Sequence, residues 1–138
     1  MASDDESDRV FLDAEALTAY ARGARHFVPL AIASERLDAE LHASALTLAE
    51  VTDGSGRDVV IRRVASAIEI HDTTAAIGFE AGRLRARTAR GRRKARDLTV
   101  DAVVAASAVA ARATVVLTSD LADLERLLEG MGVRVEPI

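Results

Sequence analysis

The stretch TVDAVVAASAVAARATVVLTSD, Thr99 to Asp120, decides the fold class. Its first half reads as a helix from Thr99 to Arg112, with Val100, Val103, Val104, Ser107, Ala108 and Ala111 forming one apolar stripe. Thr114 to Leu117 is β-branched and apolar, which predicts a strand. Asp120 then stands where another helix begins, running from Leu121 to about Met131. Helices alternating with short apolar strands are the pattern of a parallel sheet covered on both faces.

The same alternation extends outward in both directions. Val10 to Leu12 reads as a strand and Ala14 to Arg22 as a helix; Pro29 suits the first turn of a helix reaching about Leu41, with Leu30, Ala33, Leu37 and Leu41 on its apolar face. Ala43 to Leu46 reads as a second strand, followed by a helix at Thr47 and a Gly54-Ser55-Gly56 loop. Arg57 to Ala65 is helical, Ala67 to Ile70 a third strand and Thr73 to about Arg87 a helix; Val133 to Glu136 closes the chain as a strand after Gly132. The expected architecture is three-layer α/β/α with a mostly parallel sheet of about five strands. One domain spans residues 9–138, behind a polar, acidic and disordered segment at 1–8.

Right-handed crossovers place successive helix starts on one edge of such a sheet, and ligands bind beyond that carboxyl edge. Asp13, Glu50, Asp101 and Asp120 each stand near a predicted helix start, so distant carboxylates can meet there. Hard carboxylate oxygens suit Mg2+ or Mn2+. Each acid also has a plainer role. Asp13 and Asp120 fit N-caps, Thr47 with Glu50 fits a capping box, and Asp101 sits in a first turn where the helix dipole favours an anion. Asp72 likewise follows a strand, in IEIHDTT, and reads as a cap only. Periodicity alone does not separate it from the other four.

Composition narrows the alternatives. The chain of 138 residues is 49% hydrophobic but only 3% aromatic, so its core is built from Ala, Val, Leu and Ile. It has no cysteine, which excludes disulfides, thiolate metal sites and cysteine nucleophiles. The acidic start MASDDESD does not read as a signal peptide, and the longest near-apolar run, Ala102 to Ala111, is too short to cross a bilayer. A cytoplasmic protein without a membrane partner is expected. His26, His42 and His71 are scattered without zinc spacing and read as neutral histidines at element edges; no nucleophile elbow, P-loop or dinucleotide fingerprint is present.

Net charge is −4, yet Arg83, Arg85, Arg87, Arg90, Arg92, Arg93, Lys94 and Arg96 follow one another with no acid between them. Screening confines each charge to roughly 8–10 Å at physiological salt, so this cluster sets a local positive field. It fits RNA phosphates, an acidic protein partner or a solvated helix end.

At FLDAEAL, LTLAEV, TVDAVVAASA and VVLTSD, in that order, the chain resembles the PIN-domain nucleases, and among them the VapC-type toxins of toxin–antitoxin systems. The likeness runs from Val10 to Ile138 and is only an outline between Asp53 and Arg96. It implies a Mg2+- or Mn2+-dependent endoribonuclease, with Asp13, Glu50, Asp101 and Asp120 as catalytic metal ligands and Thr118 shaping the site. Asp123 has no firm counterpart and enters only as an auxiliary. The resemblance further implies an RNA substrate, a cognate antitoxin and a homodimer. RNA contacts are then assigned to Arg85, Arg87, Arg90, Arg92, Arg93, Lys94 and Arg96. A housekeeping RNA-processing nuclease, a non-catalytic RNA- or protein-binding module and a receiver- or flavodoxin-like domain with an acidic Mg2+ pocket are the alternatives.

Overall fold

A computed structural model describes residues 8–23, 39–89 and 97–138 of this chain. Its described elements are β1 (Arg9–Leu12), α1 (Ala14–Ala21), β2 (Glu40–Ser44), α2 (Ala45–Val51), α3 (Asp58–Ala65), β3 (Glu69–His71), α4 (Ala75–Ala89), α5 (Thr99–Ala110), β4 (Val115–Thr118), α6 (Leu121–Leu127) and β5 (Arg134–Pro137). The five strands form one sheet in the order β3-β2-β1-β4-β5, and every pairing is parallel. Chain order runs one way from β1 through β2 to β3, then returns to β4 on the other side of β1. The carboxyl ends of β1 and β4 therefore flank a topological switch point, where open α/β sheets place ligands.

Alternation along the strands divides the core into two layers. Phe11 and Val116 face α4, α5 and α6. Val10, Leu12, Val115 and Leu117 face the other way, onto Ala16 and Leu17 of α1. Burying each Val or Leu contributes about 1.5–3 kcal/mol, so β1 and β4 anchor the edge that carries the acids. Helix α5 departs from the predicted stripe: Ala102 through Ala108 are buried without a break, whereas Val100 is 39% exposed. An apolar helix covered all round is a core helix, and its many alanines permit close packing. Its seam with α4 holds Ile77, Ala81 and Leu84 in the same cluster.

Several predicted boundaries move. Leu41 lies in β2 rather than at the end of a helix, and Leu46 lies in α2 rather than a strand. Most of the helix predicted from Pro29 falls outside the described residues. Helix α2 is capped by Ser44, whose Oγ accepts from Leu46 N at 3.1 Å, so the Thr47–Glu50 capping box does not form. Glu50 stands in the last turn of α2, and Thr47 is fully buried with no hydrogen-bond partner for its hydroxyl among the described residues. Nor does Asp72 cap α4: Thr74 does, its Oγ1 accepting from Ile77 N at 3.2 Å. Helix α6 stops at Leu127 instead of Met131, because Gly130 and Gly132 adopt positive φ of 77° and 75° and turn the chain into β5.

The predicted disordered segment lies outside the described residues except at its boundary. There Asp8 accepts from Glu40 N at 2.8 Å and is tied to the sheet. Among the described residues, no helix is long and apolar enough to cross a membrane.

Candidate metal centre

Asp13 is the first residue after β1, and its backbone N–H donates to Leu117 O of β4 at 3.2 Å. Its carboxylate caps α1 by accepting from Ala16 N at 2.8 Å, and also accepts from the Thr118 hydroxyl and Ser119 N–H. The capping role and a site role are therefore compatible, because one carboxylate has lone pairs for both. The side chain is only 8% exposed. Burial raises its pKa above the ordinary carboxylate value, and the three hydrogen bonds offset only part of that rise.

Thr118 ends β4 fully buried. Its Oγ1 accepts from Asp120 N at 2.8 Å while the hydroxyl donates to Asp13, so one side chain ties the two acidic positions together. Asp120 precedes α6 but makes no side-chain cap bond, so the plain N-cap reading of Asp120 does not hold. Asp101 lies in the first turn of α5. That turn is fixed from outside: Asp97 accepts from Thr99 N at 3.0 Å and from Thr99 Oγ1 at 2.6 Å, and Arg85 donates to Thr99 Oγ1 at 2.7 Å.

Asp101, Asp120 and Asp123 offer carboxylate oxygens that all lie within 4.8 Å of one another. Asp123, given only an auxiliary part in the sequence reading, is thus inside the cluster and 5% exposed. The signal for it was spacing: three residues after Asp120 on a helix, it shares that residue's face. Glu50 is exposed on α2, and its pKa is raised first by burial and then by the charges of Asp101, Asp13 and Glu15. The sheet and its helices therefore bring all four predicted acids to one edge and add Asp123.

The donor set is oxygen only and rich in carboxylates, which matches Mg2+ or Mn2+ and disfavours softer metals. The charges of Asp101 and Asp13 add to the raised pKa of Glu50, and a divalent cation between them would relieve that repulsion. Glu50 gains nothing from its helix dipole, since it sits at the negative end of α2. Asp101 gains from the positive end of α5.

The predicted basic stretch divides. Arg87 donates to Leu127 O at 2.9 Å and Glu129 O at 3.1 Å, stapling α4 to the carbonyl end of α6. Arg83 pairs with Glu80 at 2.6 Å. Arg85 reaches the opening turn of α5, two residues before Asp101. Arg90, Arg92, Arg93, Lys94 and Arg96 lie outside the described residues.

Comparison with known proteins agrees with this architecture. The PIN domain family model matches residues 10–127. The structure is similar to VapBC2 from Rickettsia felis bound to a promoter DNA fragment, with TM-score 0.73 and 17% identity over 94% of this chain and 98% of that one. It is similar also to DNA-bound VapBC from Salmonella typhimurium, with TM-score 0.72 and 22% identity over 94% and 98%. FitAB bound to an IR36 DNA fragment follows at TM-score 0.62 and 18% identity, covering 93% and 94%. No curated protein sequence matches the chain. At these identities the structural likeness establishes the fold, and the family match spans most of the sequence: the chain belongs to the PIN domain family.

Proposed function

We propose that this chain is a metal-dependent endoribonuclease and the toxin of a toxin–antitoxin pair. The observation that carries the reading is the convergence of Asp101, Asp120 and Asp123 within 4.8 Å, beside a Thr118 that also holds Asp13. Asp13, Asp101, Asp120 and Asp123 would hold a Mg2+ or Mn2+ ion, with Glu50 at the open side of the cluster. A cation bound there supplies positive charge against the phosphodiester and lowers the pKa of water. The chain's own part is to hold these oxygens still. Thr118 fixes the Asp13 carboxylate and the Asp120 backbone, and Asp97 with Arg85 fixes the turn that carries Asp101. Arg85, exposed beside that turn, is the described arginine best placed to meet a substrate phosphate.

The toxin assignment draws on the VapBC and FitAB folds, each solved with its partner. A cavity of about 570 Å³ between α1 and α3, lined by Ala21, Val51, Val60 and Ile61 together with Arg22, Arg57, Asp53 and Asp58, offers an antitoxin segment a seat of mixed apolar and charged character. Pairing of two copies, which the family resemblance implies, would be decided by sedimentation of the purified chain.

The test is cleavage of a structured RNA with Mn2+. Wild-type protein is expected to cut, with loss of cleavage in EDTA and at least about a hundredfold loss in Asp13→Asn, since even residues supporting a metal ligand cost 10–100-fold. Metal-independent cleavage, or full activity in Asp13→Asn, would overturn the nuclease reading. Growth arrest on expression, relieved by a neighbouring gene's product, separates a toxin from a housekeeping nuclease.

A further inference from the structure

Away from the acidic edge, the sheet assembles a second titratable cluster that the nuclease chemistry leaves unused. His42 of β2 is 5% exposed, and its Nδ1 lies 2.7 Å from Nε2 of His71 at the end of β3. The rings stack with centroids 5.0 Å apart and an interplanar angle of 22°. On its other nitrogen, His42 Nε2 stands 3.1 Å from Glu40 Oε1. The strand register explains the meeting: His42 lies opposite Glu69, and His71 opposite Ser44 one step along the same face.

A direct contact between two imidazole nitrogens requires one hydrogen between them. In the neutral pair, His42 donates from Nε2 to Glu40 and accepts at Nδ1 from the Nε2–H of His71. One added proton leaves that bond intact. A second makes both rings imidazolium, and two N–H groups then meet head-on at 2.7 Å, which the contact does not survive. We propose that the His42–His71 hydrogen bond is a proton-operated latch, holding edge strand β3 and the start of α4 to the sheet near neutral pH and releasing them on acidification.

The surroundings suit that role. Among the described residues, strand β3 has three residues and pairs only with β2, so a side-chain bond between the two strands adds to a short backbone ladder. The charged groups around the pair are Arg9 on β1, Glu40 on β2 and Glu69 on β3; Arg9 itself lies 3.8 Å from Glu40. Phe11 places its ring 6.0 Å from that of His71, and α5, packed over β2, turns only alanine, valine and Ser107 inward. Asp72 follows His71 in sequence and is exposed. Burial, and then the neighbouring His42, lower the pKa of His71, so the doubly protonated pair is disfavoured in the folded sheet. Release would loosen the α4–α5 seam, and α5 carries Asp101.

Hydrogen exchange of the full chain between pH 8 and pH 5, corrected for intrinsic rates, tests the latch. Protection of the β3 amides is expected to fall about tenfold more than that of the β4 amides. His71→Gln keeps an N–H donor for His42 but cannot titrate, so its β3 protection is expected to stay level with pH. Parallel loss in β3 and β4, or an unchanged pH response in His71→Gln, would overturn the proposal. Ring-nitrogen NMR on the wild type gives an answer that does not depend on the variant folding. Two well-separated protonation steps support the latch, and two independent steps near the ordinary histidine value refute it.

Discussion

The acidic edge and the histidine pair are both clusters of titratable side chains built by neighbouring parallel strands, yet they treat protons in opposite ways. At the acidic edge, like charges crowd around a topological switch point, and Asp13 and Glu50 are harder to ionise than usual. At the histidine pair, two rings share one hydrogen, and His71 is harder to protonate than usual. The first arrangement stores repulsion that a cation can relieve. The second is satisfied internally and has no vacancy for a ligand to fill.

The largest effect that sharpens the contrast is expected from Thr118→Val. It removes the donor to Asp13 and the acceptor of Asp120 N while keeping the side chain's volume. Cleavage is expected to fall about 10–100-fold, as for other groups that orient metal ligands, while β3 exchange keeps its pH response. Full activity in a folded Thr118→Val protein would show that the acids need no such support.

A smaller effect separates the clusters by pH in metal-free protein. The raised pKa values of Asp13 and Glu50 mean that the folded chain takes up these protons before the unfolded chain does. Their contribution to stability therefore grows as pH falls towards the ordinary carboxylate range. The lowered pKa of His71 has the reverse sign: its contribution is complete above about pH 6.5 and shrinks below it. Denaturant melts from pH 7.5 to pH 4.5, read with local exchange at β3 and α1, are expected to show β3 weakening first while α1 holds or gains. Uniform weakening of both would break the contrast.

Much of the acidic edge was legible because its parts are local. FLDAEAL and VVLTSD each place an acid directly after a β-branched or apolar strand, and parallel topology then fixes the edge on which it lies. Glu50 was legible as an acid of that edge but not by its position on the helix: Ser44 caps α2 early, so Glu50 falls in the last turn. The shift has a tertiary cause. Leu41, periodic enough to extend a helix, pairs with Val10 in the sheet instead. Asp123 was underweighted because helix spacing shows which face a residue shares, not what that face meets. The histidine pair was not legible at all. His42 and His71 are far apart in sequence, and only the β2–β3 register brings them together. Of the basic stretch, Arg87 turned out to serve a helix end, a use that charge clustering does not foreshadow.

The central claim is that the acids at the carboxyl edge grip a divalent cation. Diffraction from crystals of the chain alone, soaked in saturating Mn2+ and measured for anomalous scattering, tests it most directly. A manganese peak among Asp13, Asp101, Asp120 and Asp123 is the expected result. A clean map there, with the acids placed as described and no lattice neighbour covering them, would contradict the account.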